Sequence, residues 1–573
     1  MSRPPETGAE ALVRALERLE VRHVFGLPGT QNVALFEALR GARLRTVVPT
    51  HELAAAFMAG AYHRASGRPG ILVSIPGPGF AYTLAGLAEA RLDSAALVHI
   101  TGAPPPGPGN HFRLQELKQA AIAGPLVKGL VLVERPEDVG EAVVRAHATA
   151  LAGEPGPVMV KVADSAWGPL VSGSAQAPAA EMPPVDAPDP EAVLARLRAA
   201  RRVVLLAGQG AQGAPGPLVA LAERLGAPVV TTASGRGVVP EDHALAMGYD
   251  TQRGTLAALN ELLAAAELVL VLGCKLGHNG TAGFALRLPS DRTVQVDASS
   301  EVLGANYSVA ASVAMPVEAF LDLAGREDLA GGGWTEVEVA GWKERLGGLA
   351  GSPVEPRIAG RPPAEFFRAL RSALPRDAIL VTDSGLHQVL ARRYCDVLAP
   401  RGLLSPSDFQ AMGFGLPSAI GAKLAAPERP VVALLGDGGF AMSGLELATA
   451  VREGVDLVAI VFRDGYLGQI RFQQLSEYGR SHGTTVASLD YDAFATATGA
   501  RYARVEDDVG DAVRRASAGG VCLLEVPVGD SAALFARTLK AVAKTSARRV
   551  LPRGVHSILR TVWRKLLHGS RLT

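Results

Sequence analysis

Residues 431–470 read VVALLGDGGFAMSGLELATAVREGVDLVAIVFRDGYLGQI, and this stretch constrains the fold more than any other. Residues 431–435 form a short continuous apolar run, as a buried parallel strand does. Gly436, Asp437, Gly438 and Gly439 break it, and this reads as a tight turn in which backbone amides can come close to a ligand. Residues 445–452 have helical spacing. Residues 457–462 are a second buried run, which ends at Arg463-Asp464-Gly465. A strand–helix–strand unit of this kind predicts an α/β fold with parallel strands. It sets Asp437 and Asp464 at the carboxyl ends of two strands, where open α/β sheets bind ligands. Two hard oxygen ligands beside amide-rich turns suit Mg2+ holding a diphosphate.

The chain has 573 residues, enough for three or four domains of about 150 residues each. Its net charge of +1 gives no overall nucleic-acid signal. Cys274, Cys395 and Cys522 are far apart and form no CxxC pair, so they read as reduced thiols of a cytoplasmic protein. The N-terminus lacks the apolar core of a signal peptide. No uncharged apolar run reaches the ~18 residues that a membrane span needs.

Residues 1–170 predict one α/β domain. A strand leads into the turn Gly26-Leu27-Pro28-Gly29, and a second ends at Thr50-His51-Glu52, directly before an alanine-rich helix. Glu52 therefore sits at a strand end and in the first helical turn, which is ligand-site geometry. A third strand runs into the rigid loop Pro76-Gly77-Pro78-Gly79. Residues 171–188 are rich in Pro, Ala and Ser and read as a linker. A second α/β domain spans 189–330, with residues 294–297 as its last strand. Its formal GxGxxG, residues 208–213, lacks the acidic ribose ligand about 20 positions on, so these glycines read as close strand–helix packing rather than an NAD site. Residues 331–360 read as a second linker holding a short charged helix. A third domain spans 362–530. Its first strand ends in Asp383-Ser384-Gly385-Leu386-His387, a turn that offers amides and an imidazole to a phosphate.

Residues 531–573 differ from the rest, with ten Lys or Arg and no Asp or Glu. Val555, Ile558, Leu559, Val562, Trp563, Leu566 and Leu567 fall on one helical stripe opposite basic residues. A basic amphipathic helix suits an anionic membrane surface, a partner, or the protein itself.

Several motifs, in order along the chain, resemble the thiamine diphosphate (ThDP) enzymes, over about residues 8–530. FGLPG, the HE pair and SIPGPG resemble the pyrimidine-binding domain. The region from 208 to PEDHALAMGY resembles the central domain. DSGLH, AMGFGLP and GDG followed by Asp464 resemble the diphosphate-binding domain. The departure is Arg463-Asp464, where the family usually has Asn-Asn. The resemblance implies three doubly wound parallel-sheet domains. It implies that Glu52 hydrogen-bonds the aminopyrimidine, whose 4′-nitrogen then acts as base toward thiazolium C2. The activated carbon attacks a 2-keto group, and the thiazolium holds the electrons left when CO2 departs. Gln115 matches a position near the reacting carbonyl in acetolactate synthases. Pro28, Gly29, Gly77, Ser384, Gly385, His387, Gly436, Gly438, Gly439, Leu467 and Gly468 are the implied cofactor contacts. Met412 would wedge the two rings into a V. The implied Mg2+ ligands are Asp437, the Asp464 carboxylate and the Tyr466 backbone carbonyl.

Some central domains of this family bind FAD. Here FAD is not favoured, because Cys274-Lys275-Leu276-Gly277-His278 does not match the Arg-Phe-Asp-Asp-Arg-like segment that holds it. The family also implies a homodimer or homotetramer in which Glu52 acts across the dimer interface. Residues 468–475, GQIRFQQL, followed by Tyr478-Gly479-Arg480, look most like catabolic acetolactate synthases. The expected activity is therefore decarboxylation of a pyruvate-like 2-keto acid with carboligation to a second carbonyl. The alternatives are a non-ligating decarboxylase, a 2-hydroxyacyl-CoA or benzaldehyde-type lyase, a membrane-associated pyruvate oxidase-like enzyme, and a non-catalytic scaffold that kept the fold.

Overall fold

The computed structural model describes residues 5–103, 114–170, 189–248, 256–347, 355–506 and 508–529. The expected linker 171–188 and the basic tail 531–573 lie outside them.

Three parallel sheets carry the chain. In the first, the strands lie in the order Arg45–Val47, His23–Gly26, Gly70–Ser74, Leu97–Gly102, Pro157–Val162, Gly129–Val133. In the third, the order is Leu403–Leu404, Ile379–Thr382, Val431–Gly436, Leu457–Arg463, Val521–Pro527, Arg501–Arg504. Numbered within each sheet, both run 2-1-3-4-6-5, although no sequence repeat announces it. This order reverses direction between the first and third strands, which opens a crevice at their carboxyl ends. In the first sheet that crevice lies between residues 26–29 and 74–79. In the third it lies between 382–385 and 436–437.

The middle sheet has five strands, Ala311–Ala314, Thr293–Asp297, Leu268–Leu272, Val203–Ala207 and Val229–Thr231, in that order. Two expectations are corrected here. Residues 294–297 are not the last strand, because Ala311–Ala314 pairs beyond them, from Val294 with Ala311 to Asp297 with Ala314. This edge strand buries only Val313, and its residues, ASVA, are otherwise small, so no run of large apolar side chains marks it. Nor is the whole of 331–360 a linker. Trp334, Val339 and Leu346, the last two on helix Glu336–Gly347, join the core over Leu259, Leu262 and Val271. Trp334 donates its indole N–H to the Val203 carbonyl at 3.0 Å. Arg202 lies over that ring, 4.9 Å from its centre, and pairs with Glu338 at 2.6 Å. The charged surface of the helix hides its narrow apolar contact.

The first and third sheets are joined by helix packing. Helix Glu52–Ser66 is buried along most of its length and packs on helix Gly415–Ala425. The helices touch so closely that a Cβ at Gly421 would lie 2.2 Å from the Met58 carbonyl oxygen. Thr50 donates its N–H to the buried Glu446 carboxylate at 3.0 Å.

Arg236 ties the middle and third sheets. Its guanidinium is 1 % exposed, pairs with buried Glu241 at 2.5 and 2.7 Å, and donates to the carbonyls of Arg392 and Cys395. Arg236→Ala strands the Glu241 charge, which costs about 3–5 kcal/mol. We expect a lower urea midpoint for the transition that separates these units.

Among the described residues, no helix is long and apolar enough to cross a membrane, and no cluster of three His, Cys, Asp or Glu could hold a metal. All three cysteines are buried.

Candidate functional site

The crevice of the third sheet contains a cavity of about 350 Å3. Ser384, Gly385, His387, Met412, Gly436, Asp437, Gly438, Gly439, Asp464, Tyr466, Leu467 and Gly468 all line it. Residues 436–439 do not form the tight turn expected of three glycines. Gly436 is extended, and Asp437 is the first residue of helix Asp437–Ser443.

Asp437 ties the two strand ends together. Its Oδ1 accepts from Gly438 N at 3.0 Å and its Oδ2 from Gly465 N at 2.7 Å. Asp464 Oδ1 accepts from Tyr466 N at 2.9 Å. Burial raises the pKa of both carboxyls, that of Asp464 to about 6, and the nearby Asp437 charge adds to the second shift. Each carboxylate keeps lone pairs free for a cation.

Arg463 does not enter the cavity. It pairs with the buried Glu525 carboxylate at 2.9 Å and lies 5.7 Å from the Tyr491 ring centre. The Arg-Asp departure therefore puts its cation on the far side of the strand and leaves Asp464 facing the site.

His387 is buried against Phe462, with ring centres 5.9 Å apart. Burial lowers its pKa to about 4, so the imidazole is neutral. Its Nε2 is buried without a partner. A neutral imidazole has one N–H, so Nε2 meets a phosphate oxygen as a donor only in the tautomer that places the proton there. Gly385, at φ +148°, adopts a backbone closed to other residues, and a Cβ there would press on His387 at 2.9 Å. These residues fit a metal–diphosphate group. Two carboxylates with no third side-chain ligand are too few for a hard cation, and phosphate and backbone oxygens would complete its shell.

The second cluster lies on the first sheet. Glu52 begins its helix after the N-cap His51, and its Oε1 would lie 3.1 Å from a Cβ on Gly79. His51 packs on Tyr82, with ring centres 4.7 Å apart. Gly77, at φ +66°, packs against Gln115, to whose Cβ an added Cβ would come within 2.6 Å. Gln115 itself is held at φ +59°, and its Oε1 is buried without a partner. Gly29 donates to Asn32 Oδ1 at 2.7 Å beside exposed Pro28. None of Pro28, Gly29, Glu52, Gly77 and Gln115 lines the diphosphate cavity. One chain thus holds two half-sites that it does not join.

Sequence reasoning missed two residues here. Asn279 reaches the diphosphate cavity from the middle sheet, and no local pattern marks it. Asp383 is fully buried under the cavity and accepts from Ser384 N, Gly413 N and Gly415 N at 2.7, 3.1 and 2.9 Å. Its place at a strand end was the available signal.

Family models agree with this division of the chain. The N-terminal TPP binding domain, central domain and C-terminal TPP binding domain of thiamine pyrophosphate enzymes match residues 6–122, 190–323 and 383–526. A probable acetolactate synthase large subunit of Methanocaldococcus jannaschii is 30% identical over 82% of this chain and 83% of its own. The chain belongs to the thiamine pyrophosphate enzyme family. This ThDP-dependent enzyme is also 32% identical to a probable 2-ketoarginine decarboxylase of Pseudomonas aeruginosa, over 91% of this chain and 94% of that one. It is 31% identical to the chloroplastic acetolactate synthase of Arabidopsis thaliana, over 81% and 71%. It is thus a ThDP-dependent 2-keto acid enzyme of the acetolactate synthase and decarboxylase group.

In the central domain of this ThDP enzyme, the first two GxGxxG glycines, Gly208 and Gly210, meet another loop rather than a helix. A Cβ on Gly208 would lie 2.3 Å from the Gly273 carbonyl, and one on Gly210 2.8 Å from Gly273 Cα. Gln209 and Lys275 are engaged by the pyrimidine-side domain, Lys275 through Glu154 at 2.7 Å and the Leu92 carbonyl at 2.8 Å.

Proposed function

We propose that this enzyme decarboxylates a pyruvate-like 2-keto acid and ligates the remaining unit to a second carbonyl, as an acetolactate synthase does. The observation that carries this reading is Gln115. A strained backbone and an unpartnered buried amide oxygen set it beside the Glu52 cluster, ready to position a reacting carbonyl. When bound, ThDP supplies the electron sink for loss of CO2. The chain's own residues bind and orient. Asp437, Asp464 and the Tyr466 carbonyl would hold Mg2+. Ser384, Gly385, His387, Gly436, Gly438, Gly439, Leu467 and Gly468 would surround the diphosphate. Met412 would support the ring portion of the cofactor. Glu52 would hydrogen-bond the aminopyrimidine, beside which Pro28, Gly29 and Gly77 would lie.

We place the complete site between two copies of the chain. Within one chain the Glu52 helix docks on Gly415–Ala425 and leaves both half-sites open. Exposed apolar side chains flank each: Tyr82 by His51, and Met442 against Gly413. A homodimer, alone or paired into a tetramer, covers them. The basic tail 531–573 supplies a peripheral contact with an anionic membrane. Equal liposome flotation of the full chain and of a chain ending at Asp530 would reject that contact.

A second reading, non-ligating decarboxylation, is favoured by the 94% coverage of the probable 2-ketoarginine decarboxylase. Product analysis with Mg2+, ThDP and a panel of 2-keto acids separates the two. Acetolactate from pyruvate without free aldehyde supports ligation. Aldehyde alone supports the decarboxylase. No turnover of any 2-keto acid would leave the non-catalytic scaffold.

A further inference from the structure

The loop that carries Met412 is held from two domains. Arg64 donates to the Ser405 carbonyl at 2.9 Å, where the chain leaves strand Leu403–Leu404. Ala411 N donates to Glu89 Oε2 at 3.0 Å. Gly413 N and Gly415 N donate to the two oxygens of Asp383. Arg64 and Glu89 belong to the pyrimidine-side domain, and Asp383 to the diphosphate-side domain. The helices that bear Arg64 and Glu89, Glu52–Ser66 and Pro78–Leu92, begin at Glu52 and at the Gly77 loop. The same two helices therefore carry the pyrimidine half-site at one end and grip the Met412 loop with later residues.

Glu89 is the member that fold stability alone does not explain. It is 3 % exposed and lies beside buried Asp93, which already has Arg64 as its ion partner at 2.6 Å. Two carboxyls and one guanidinium leave a proton to share, so burial and the Asp93 charge hold Glu89 above the usual carboxylate range. Its Oε1 has no donor to meet, whereas a protonated Oε1 can donate to Asp93. An apolar side chain would fill this place at lower cost. What Glu89 adds beyond its own domain is an acceptor for Ala411 N, one residue from Met412. The loop needs that support. Gln410 sits at φ +62°, and a strained backbone of this kind persists only where its surroundings over-determine it, whereas Gly413 takes its φ of +79° freely.

We propose that Glu89 is a positioning residue for Met412, fixing from the pyrimidine-side domain the backbone of the loop that wedges the cofactor rings. This rests on the reading of Met412 given above. Met412 Cε already lies over Gly438, 3.3 Å from where a Cβ there would be.

The test is hydrogen–deuterium exchange by mass spectrometry on full-length Glu89→Ala, Glu89→Met and Glu89→Gln, with and without Mg2+ and ThDP. In the Ala and Met variants, exchange in residues 409–416 should rise about tenfold, as expected when one backbone hydrogen bond is lost. Strand Val431–Gly436 should stay protected. Gln keeps a carbonyl acceptor and should behave as wild type. ThDP affinity should change less than about threefold, since the diphosphate contacts are untouched, while kcat falls about tenfold at constant KM. Unchanged exchange in the loop, or loosening spread evenly over the chain, would overturn the assignment alone. So would a loosened loop with wild-type kcat. Failure of the wild-type chain to bind ThDP would overturn the Met412 reading and this assignment with it.

Discussion

Glu52→Gln is expected to lower turnover of 2-keto acids by about 10²–10⁴-fold, the range over which a positioned acid–base group acts. The change is small in volume. It removes a negative charge from a helix N-terminus, which costs stability only about 0.3–1 kcal/mol. The diphosphate cavity, which Glu52 does not line, should keep its Mg2+–ThDP affinity. Deuterium exchange at C2 of bound ThDP, followed by NMR, reports the lost step directly and should slow in parallel. Wild-type exchange in Glu52→Gln would remove Glu52 from the chemistry. The same variant also tests where the site is built. Mixing inactive Glu52→Gln with inactive Asp437→Ala and allowing subunits to exchange should restore activity, because one of the two sites in each mixed dimer is then intact. If each chain used its own Glu52 and Asp437, mixing would restore nothing.

Asp437→Ala should abolish the stabilisation that the cofactor gives. A ligand at 100 times its Kd raises stability by about 2.7 kcal/mol, which is about 5–11 °C in Tm for a domain of this size. Wild type should show this upward shift with Mg2+ and ThDP, and Asp437→Ala should show none. Asp464→Ala should weaken ThDP binding in calorimetry while the fold stays intact, since the hydrogen bond it accepts from Tyr466 N is local. Asp437 is the more damaging loss because its Oδ2 also holds Gly465 N and so ties two strand ends. Unchanged ThDP affinity in Asp464→Ala would place that carboxylate outside the metal shell and return the role to Asp437 alone.

The diphosphate half of the site was legible because it is local. Strand ends and short turns bring Ser384, Gly385, His387, Asp437, Asp464 and Gly468 to one crevice, and the buried runs around them mark the strands. The pyrimidine half was legible as motifs, but its separation from the diphosphate cavity was visible only in three dimensions. The charge of Arg463 illustrates the limit. In sequence it looks like a cation beside a metal ligand. In the structure, alternation along the strand sends it to Glu525 on the next strand but away from the site.

Short-range pattern therefore determined the α/β class, the parallel strands and most of the cofactor-facing residues, because burial and turn chemistry act over a few residues. Tertiary structure alone decided the identical 2-1-3-4-6-5 order of the outer sheets, the extra edge strand Ala311–Ala314 and the packing of Trp334 under the middle sheet. It also decided that Glu89 meets Ala411 and that Arg236 meets Cys395. Such contacts depend on how whole domains dock. Their partners lie more than a hundred residues apart, and nothing in the sequence near either one records the other.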